Sequence, residues 1–351
     1  MKNSLIKLSA LAIAMGLSVM AYADDSTIPS TNPGFAVSLT GMYLEPGASN
    51  LTYAIYTTPL PLPAPNWSQQ TLDPGFSPAF DLGLQYTLAD GSDQVSLDWL
   101  HLDTSTTNSV GPAGAGTSVA PPYYFGPDAQ SLVNSAANST VKFNVDAVNL
   151  AFGHLANVTN HIQIEPFFSI NTAEIKEDMN TNFTGEDGTL NHYAYSITTT
   201  NNSQFTGIGP RIGLDGSYFV TNHLAINAEF AASILAGSMQ TNSTFYSYDT
   251  NPAANQNVTT TLADTTQTQL VPEIDSNIAI SYVIPFNTTG SNLNIAAGYL
   301  FQAYINGIHQ VVPTSLVPGA FDNGTIAIET EGDVNSDLTM NGPYLKLAYT
   351  F

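Results

Sequence analysis

The stretch Gly342-Pro-Tyr-Leu-Lys-Leu-Ala-Tyr-Thr-Phe351 decides the fold of this chain. From Leu345 onward its side chains alternate between apolar and polar, and a period of two is typical of a β-strand with one apolar face. A last strand that stops on an aromatic residue is typical of bacterial outer-membrane barrels, whose aromatic side chains lie at the membrane interfaces. We therefore expect Tyr349 and Phe351 to act as the assembly signal of such a barrel. The apolar parity contains Leu345, Leu347, Tyr349 and Phe351, and the other contains Tyr344, Lys346, Ala348 and Thr350.

The first 23 residues have the composition of a secretory signal peptide. Lys2 and Lys7 form its basic start, an apolar run covers 8–20, and Ala21-Tyr-Ala23 is a small-x-small cleavage site. The apolar run is too short for a membrane-spanning helix, which needs ~20 residues, and no other segment approaches that length. We therefore expect an exported protein in which only strands could cross a membrane.

Basic residues are rare in this chain. Six Lys and Arg stand against 28 Asp and Glu, and the signal peptide holds two of the six. Nucleic acids and anionic lipid surfaces are bound by clustered Lys and Arg, so we expect neither as a partner. Only 10% of the residues are charged, whereas 17 Tyr and 17 Phe stand among abundant Asn, Thr, Ser and Gly. Because disordered chains have few aromatic residues, this composition favours a β-protein with long polar loops, and one without cysteine or disulfides.

About ten segments with a period of two follow one another along the chain. The first segment must pair with the last to remove the open edges of the sheet. In one segment, 140–153, the apolar parity changes after Val145, which indicates either a β-bulge near Ala147 or misplaced strand limits. The segments are 35–45, 76–88, 93–103, 140–153, 161–173, 205–218, 224–236, 267–283, 293–303 and 342–351.

The connections between these segments are alternately long and short, beginning with the long Pro-rich stretch 46–75. A meander of this kind places all long loops at one end, as in outer-membrane barrels with long external loops and short periplasmic turns. A soluble β-sandwich has no reason to sort its loops, although strand pattern alone does not exclude one. We expect an all-β, antiparallel, up-and-down transmembrane β-barrel of about ten strands, or twelve if Leu51–Thr57 joins the wall. The expected domains are a signal peptide at 1–23, a short periplasmic segment at 24–34 and the barrel at 35–351.

Three strand-sized motifs resemble the Legionella-type major outer membrane protein family. They are Asp146-Ala-Val-Asn-Leu-Ala-Phe-Gly153, Gly207-Ile-Gly-Pro-Arg-Ile-Gly-Leu-Asp-Gly-Ser-Tyr218 and the closing strand quoted above. The resemblance spans the mature barrel and implies a pore-forming protein of the outer membrane, without naming a solute. Some members of the family are cross-linked through cysteine, a feature that this cysteine-free chain cannot share.

The polar parity of each segment is expected to face the barrel lumen. Arg211 lies between the segments that carry Glu165 and Glu229, and Asp215 is four residues along on its own face. We expect an internal salt-bridge cluster centred on Arg211, which either forms a selectivity ring for cations or only packs the lumen. The inward basic residues on this count are Lys142, Arg211 and Lys346, and the inward acidic residues are Asp81, Asp98, Asp146, Glu165, Asp215, Glu229, Glu273 and Asp275.

Catalysis and metal binding find little support in the sequence. A protease or lipase needs an acid–base or Ser/His pair on one face. Asp98 and His101 point to opposite faces, and His192, beside Glu186 in a long loop, is the least implausible catalytic residue. His161 and His223 follow repeated Val-Thr-Asn turns, which suit reverse turns better than a metal site. We therefore expect no enzyme, no cofactor and no metal.

The function that the sequence favours is passive diffusion of small solutes or ions through a narrow, acidic pore in a Gram-negative outer membrane. A ten-stranded barrel is close in size to the barrels that side chains fill, so its lumen should be small or gated. The alternative is a surface adhesin or structural barrel that acts through its external loops, which commonly carry binding. The expected partners are outer-membrane lipid and lipopolysaccharide, the barrel-assembly machinery through the closing strand, and a host surface ligand.

Overall fold

A computed structural model describes residues 28–29, 33–58, 66–114, 117–122, 132–187, 194–250, 257–286, 291–316 and 328–351. Within these ranges, ten strands form one closed antiparallel ring. In the same ranges no helix is long and apolar enough to cross a membrane. The ring strands are β1 (Gly34–Ala48), β4 (Ser77–Thr87), β5 (Asp93–Val110), β7 (Leu132–His154), β9 (Ile162–Asp187), β10 (Ala194–Phe219), β11 (Leu224–Asp249), β12 (Asn257–Pro285), β13 (Asn292–Leu316) and β14 (Ile328–Thr350).

Four shorter strands lie outside the ring pattern. Three of them form a separate sheet, which we call the inner sheet, and the fourth is a short pair against β9. They are β2 (Thr52–Thr58), β3 (Asn66–Thr71) and β6 (Ser118–Ala120) in the inner sheet, and β8 (Ala156–Asn157) beside β9.

The seam between the first and last strands closes the ring. Leu39 lies opposite Leu347, and Thr40 lies opposite Lys346. Closure removes the sheet edges, which have no polar partners in lipid. The predicted antiparallel barrel of about ten strands is confirmed. The twelve-stranded alternative is wrong, because 51–57 contributes to β2, which pairs with β3 and β6 instead of the wall.

Several ring strands are much longer than the ~9–11 residues that cross a bilayer. The stretch 174–204 was predicted as a long loop, but most of it continues β9 and β10, which stay paired from Glu186 and Ala194 down to Ile162 and Tyr218. The extra length lies at the end opposite the short connections 88–92, 155–161 and 220–223. We call the end with the short connections the turn end and the opposite end the loop end.

The polarity of the inward and outward faces reverses between the two ends of the barrel. On β10, the outward Ile212 near the turn end is apolar and 68% exposed, whereas the outward Asn202 nearer the loop end is polar. The inward side does the reverse, because Arg211 lies toward the turn end and the buried Phe205 toward the loop end. Near the turn end the outward faces form a ring of exposed apolar side chains, which we call the apolar belt. The belt includes Phe35, Leu39, Leu82, Trp99, Leu150, Phe168, Ile170, Ile212, Phe230, Ile278, Tyr299 and Leu347.

The same reversal explains the change of parity in the segment 140–153. The pairing of β7 runs through Ala147 without a register shift, so the β-bulge given as one of two explanations is absent from this part of the chain. Lys142 and Asp146 lie on the same outward face as Val148, and the buried Phe143 points inward. The inward assignment of Lys142 and Asp146 was therefore wrong. The strand passes from lipid to water along its length, so its outward side chains change from apolar to polar while the same alternate residues continue to face outward.

The loop-end half of the barrel is filled by an apolar core. The inner sheet and its flanks contribute buried side chains, including Leu51 and Tyr53, which join one cluster with the inward Phe143, Ile175 and Phe205 of the wall. A second element also turns inward. The last β12–β13 pair in the described chain is Glu273 with Tyr304, and beyond it β13 continues paired only to β14.

We call the stretches 305–316 and 328–337, which pair from Ile308 and Ser336 onward, the inner hairpin. The backbone bends at Asn306, where φ is 56°. Beyond the bend, the His309 amide donates to Ser203 Oγ of β10 over 3.0 Å and the Val311 amide donates to Ser243 Oγ of β11 over 3.3 Å. The hairpin therefore leans across the barrel toward strands that are not its neighbours in the ring.

Lysine substitutions on β10 test the apolar belt. We expect Ile212→Lys to destabilise the protein folded in phospholipid vesicles by about 2–4 kcal/mol, since Lys is costly on the lipid face near mid-membrane. Asn202→Lys, on the same strand face above the belt, should change the free energy of unfolding by less than about 0.5 kcal/mol. Denaturant titration measures both values, and equal costs for the two variants would contradict the assigned belt.

Candidate functional site

A cavity of about 330 Å³ occupies the turn-end half of the barrel. Inward side chains from every ring strand line it, and most of the charged residues among them are acidic. Of the predicted lumen residues, only Lys142 and Asp146 lie elsewhere, because both face outward. The charged residues around the cavity are Asp81, Asp98, Glu165, Asp215, Glu229, Glu273 and Asp275, with Arg211 and Lys346.

Arg211 is the centre of the ion pairs in the cavity, and only 9% of it is exposed. Its Nη2 atom donates to Glu229 Oε1 over 2.9 Å and to Asp275 Oδ1 over 2.8 Å, and its Nε atom donates to Asp275 Oδ2 over 3.2 Å. The guanidinium also lies over the ring of Phe167, 5.1 Å from its centroid. Gly213 makes room for that ring, because a Cβ there would collide with it.

Three carboxylates lie side by side on the wall below Arg211. Glu165 on β9 is opposite Asp215 on β10, which is opposite Glu229 on β11. Paired residues of antiparallel strands point to the same face, so all three side chains reach the lumen at one height. Arg211 pairs with Glu229 from this row and with Asp275 from two strands away. Sequence spacing had suggested Glu165, Asp215 and Glu229 as its neighbours. Only Glu229 of these three forms an ion pair with it among the described residues, and the sequence had not connected it to Asp275.

Glu273 lies at the upper boundary of the cavity, where uncharged side chains donate hydrogen bonds to it. The side chain is 2% exposed and accepts from Ser233 Oγ over 2.6 Å and from Gln302 Nε2 over 2.6 Å. Asn171 Nδ2 donates to it from β9, across the lumen. We call Arg211, Glu273, Asp275, Asn171 and Gln302 the polar ceiling. This layer separates the acidic cavity from the apolar core.

The opposite wall carries the remaining charges. Thr40 lies between Asp81 on β4 and Lys346 on β14 in the strand register, and its hydroxyl donates to Asp81 Oδ1 over 3.4 Å. Asp98 lines the same side of the cavity from β5. Lys346 therefore faces the lumen beside acidic groups, at the seam of the barrel.

The other polar candidates from the sequence lie away from the cavity. Asp146 is on the outer surface, where Oδ1 contacts His101 Nδ1 at 2.9 Å and accepts from Trp99 Nε1 over 3.0 Å. His161 Nδ1 lies 2.9 Å from the Phe219 carbonyl oxygen at the turn end. Within the described ranges no three His, Asp or Glu residues are grouped so that they could hold a metal. His192 lies outside the described residues.

The family of the chain follows from comparison with known proteins. The family model described as the Legionella pneumophila major outer membrane protein precursor matches residues 27–351. The chain belongs to this family. The resemblance read from the three strand motifs is thereby confirmed, and the apolar belt is the surface that lies in lipid. A comparison with curated proteins returned no match.

Three of the solved structures similar to this chain have low sequence identity to it. The outer membrane protease OmpT from Escherichia coli is 8% identical, with 95% of this chain and 99% of that chain covered and a TM-score of 0.43. The toluene transporter TodX from Pseudomonas putida is 8% identical, with 93% of each chain covered and a TM-score of 0.33. A FadL homologue from Pseudomonas aeruginosa is 9% identical, with 93% and 95% covered and a TM-score of 0.28.

Removal of the Arg211 side-chain charge tests the ion pairs of the polar ceiling. Arg211→Met should leave the buried Asp275 without its cation and cost about 3–5 kcal/mol of unfolding free energy. Lys346→Met removes the same charge from a half-buried position and should cost less than about 1 kcal/mol. Denaturant unfolding in vesicles measures both, and a loss for Arg211→Met no larger than that for Lys346→Met would refute the assigned role of the pairs.

Proposed function

We propose that the protein is a narrow, gated pore through the outer membrane that passes small cations and small uncharged polar solutes. The observation that carries this proposal is the carboxylate-lined cavity of about 330 Å³ at the height of the apolar belt. A structural barrel needs no acidic interior of this kind, since apolar side chains could fill the same space.

The charge of the cavity supports a preference for cations. Seven carboxylates and two basic residues line it. Arg211 is already bound to Glu229 and Asp275, so its charge is compensated locally. Rings of acidic side chains in low-dielectric surroundings concentrate cations and repel anions.

The size of the barrel supports small solutes. Barrels of about eight strands are filled by their side chains, while barrels of 16 or more leave an open aqueous channel. A ring of ten strands therefore fits a narrow path. The apolar core above the polar ceiling makes the described conformation a closed one, because a dry apolar constriction blocks ions.

Other predicted roles remain proposals. Adhesion through the long loops and a host ligand stay predictions, and 188–193 and 251–256 lie outside the described residues. Contact with lipopolysaccharide, assembly through Tyr349 and Phe351, and export by a cleaved signal peptide also stay predictions. For catalysis, no residue is proposed.

Neutralising two wall carboxylates that form no ion pair with any described residue tests cation selectivity. The double variant Glu165→Gln/Asp215→Asn should lower the cation-to-anion permeability ratio several-fold, measured as the reversal potential of reconstituted protein in a KCl gradient. Asp103→Asn removes one negative charge from an exposed position outside the lumen and should leave the ratio unchanged.

Two further results of the conductance measurement would contradict parts of this proposal. If the wild type gives no channel events under any applied salt gradient, the pore is refuted and the barrel has a structural role. If Arg211→Ala conducts with wild-type conductance and selectivity, Arg211 serves the fold and not the selectivity of the path.

A further inference from the structure

One carboxylate is buried in the apolar core, far from the acidic cavity. Glu177 lies on the inward face of β9 and is 0% exposed. Its outward neighbours, Lys176 and Asp178, are charged, so this part of the strand lies beyond the apolar belt. The position is seven residues beyond Ile170 of the belt, which corresponds to roughly 20 Å along a strand. Glu177 is therefore buried by protein and not by lipid.

Residues from both the inner sheet region and the inner hairpin bind this carboxylate. Asn50, at the entry to the inner sheet, donates from Nδ2 to Glu177 Oε1 over 2.8 Å and to Oε2 over 3.0 Å. Gln310, on the inner hairpin, donates from Nε2 to Oε1. The inner sheet, the inner hairpin and the wall strand β9 thus meet at one side chain.

No Lys or Arg side chain contacts Glu177 in the described parts of the chain. In the strand register its neighbours are Phe143 on β7 and Ser203 on β10, both uncharged. The inner sheet carries the ionisable groups Tyr53 and Tyr56. The inner hairpin carries His309, whose ring contacts Thr241 and Asp333. On β9 itself, Asp178 adds a repulsive negative charge.

We propose that Asn50, Glu177 and Gln310 form a latch that holds the inner sheet and the inner hairpin closed over the cavity while Glu177 is protonated, and that ionisation of Glu177 releases them. As a gate, the latch rests on the proposed pore. As a contact between closing elements, it can be tested without any measurement of conduction.

Burial gives the direction of the pH dependence. Desolvation raises the pKa of Glu177, the hydrogen bonds from Asn50 and Gln310 lower it in part, and the negative charge of Asp178 raises it slightly. The balance moves the pKa from its ordinary value near 4.5 to about 7 in the closed form. Below the ordinary value both the closed and the released forms are protonated, so pH has no effect there. As pH rises toward 7, the released form gives up its proton more readily, and closure becomes progressively less favourable. Between pH 5 and pH 8 the closed-to-released ratio should fall on the order of 100-fold.

A buried reporter cysteine measures release directly, since the chain has no native cysteine. Ala54→Cys and Ser118→Cys each place a thiol on the inner sheet at a buried position. Ser109→Cys, at an exposed position, corrects for the intrinsic pH dependence of thiol modification. In vesicles, the corrected labelling rate of both reporters by a charged methanethiosulfonate should rise steeply between pH 5 and pH 8.

Substitutions of Glu177 and Gln310, combined with the reporter cysteines, test whether ionisation of Glu177 causes the release. Glu177→Gln is uncharged at every pH and should keep labelling slow throughout, whereas Gln310→Leu removes a donor and should speed labelling most at high pH. A wild-type rate that is flat with pH, or a Glu177→Gln variant that keeps the wild-type pH response, overturns the latch. Labelling that follows pH while no channel opens supports the latch and refutes the pore, so the two proposals fail separately.

Discussion

The structure depends on one constraint: successive side chains of a strand point to opposite sides, and a closed ring fixes which side is inside. Near the turn end the outside meets lipid, so outward positions such as Ile212 are apolar and the interior can be polar. Toward the loop end the outside meets water, and the inward positions, such as Phe205, form an ordinary apolar core. The same alternation of side chains therefore gives a polar interior near the turn end and an apolar interior near the loop end. The pairing of β1 with β14 closes the ring, so that every strand keeps the same inward face.

The polar ceiling lies where these two arrangements meet. Arg211 and Asp275 are buried at this level, and Glu273 accepts hydrogen bonds from three different strands. Buried charges are tolerated only when paired and hydrogen-bonded, which explains why the donors converge there. The layer also separates two functions, because charge selection belongs to the cavity below it and closure belongs to the core above it. Glu177 is the exception within the core, since its donors come from the elements that close the barrel.

The sequence predicted the ring, its strand number, the seam and most of the cavity lining, because all of these follow from a period of two. It did not predict the inner sheet or the inner hairpin, because the stretches that contain them lie between the segments with a period of two and were read as long loops. Their buried residues, such as Tyr53, Val119 and Ile308, are too few in a row to show a distinct period. Lys142 was placed in the lumen since polarity was equated with inwardness, which holds only within the belt. Glu177 was missed because 174–204 was read as a loop, although Ile175, Met179 and Phe183 mark a buried parity there. Asp275 was not paired with Arg211, as sequence does not fix the relative height of strands that are not neighbours.

The outward face of each long strand passes from lipid to water, while its inward face passes from a polar cavity to an apolar core. A nitroxide scan of β10 from 196 to 216 tests this change most directly. Collision with oxygen reports lipid, and collision with a water-soluble nickel chelate reports water. Outward labels should change from nickel-accessible to oxygen-accessible on passing from Asn202 to Ile208, while inward labels should be shielded from nickel from Ile197 to Phe205 and exposed to it near Asp215. Inward labels that are accessible to nickel along the whole strand would contradict the account, because the barrel would then be an open channel without an apolar core.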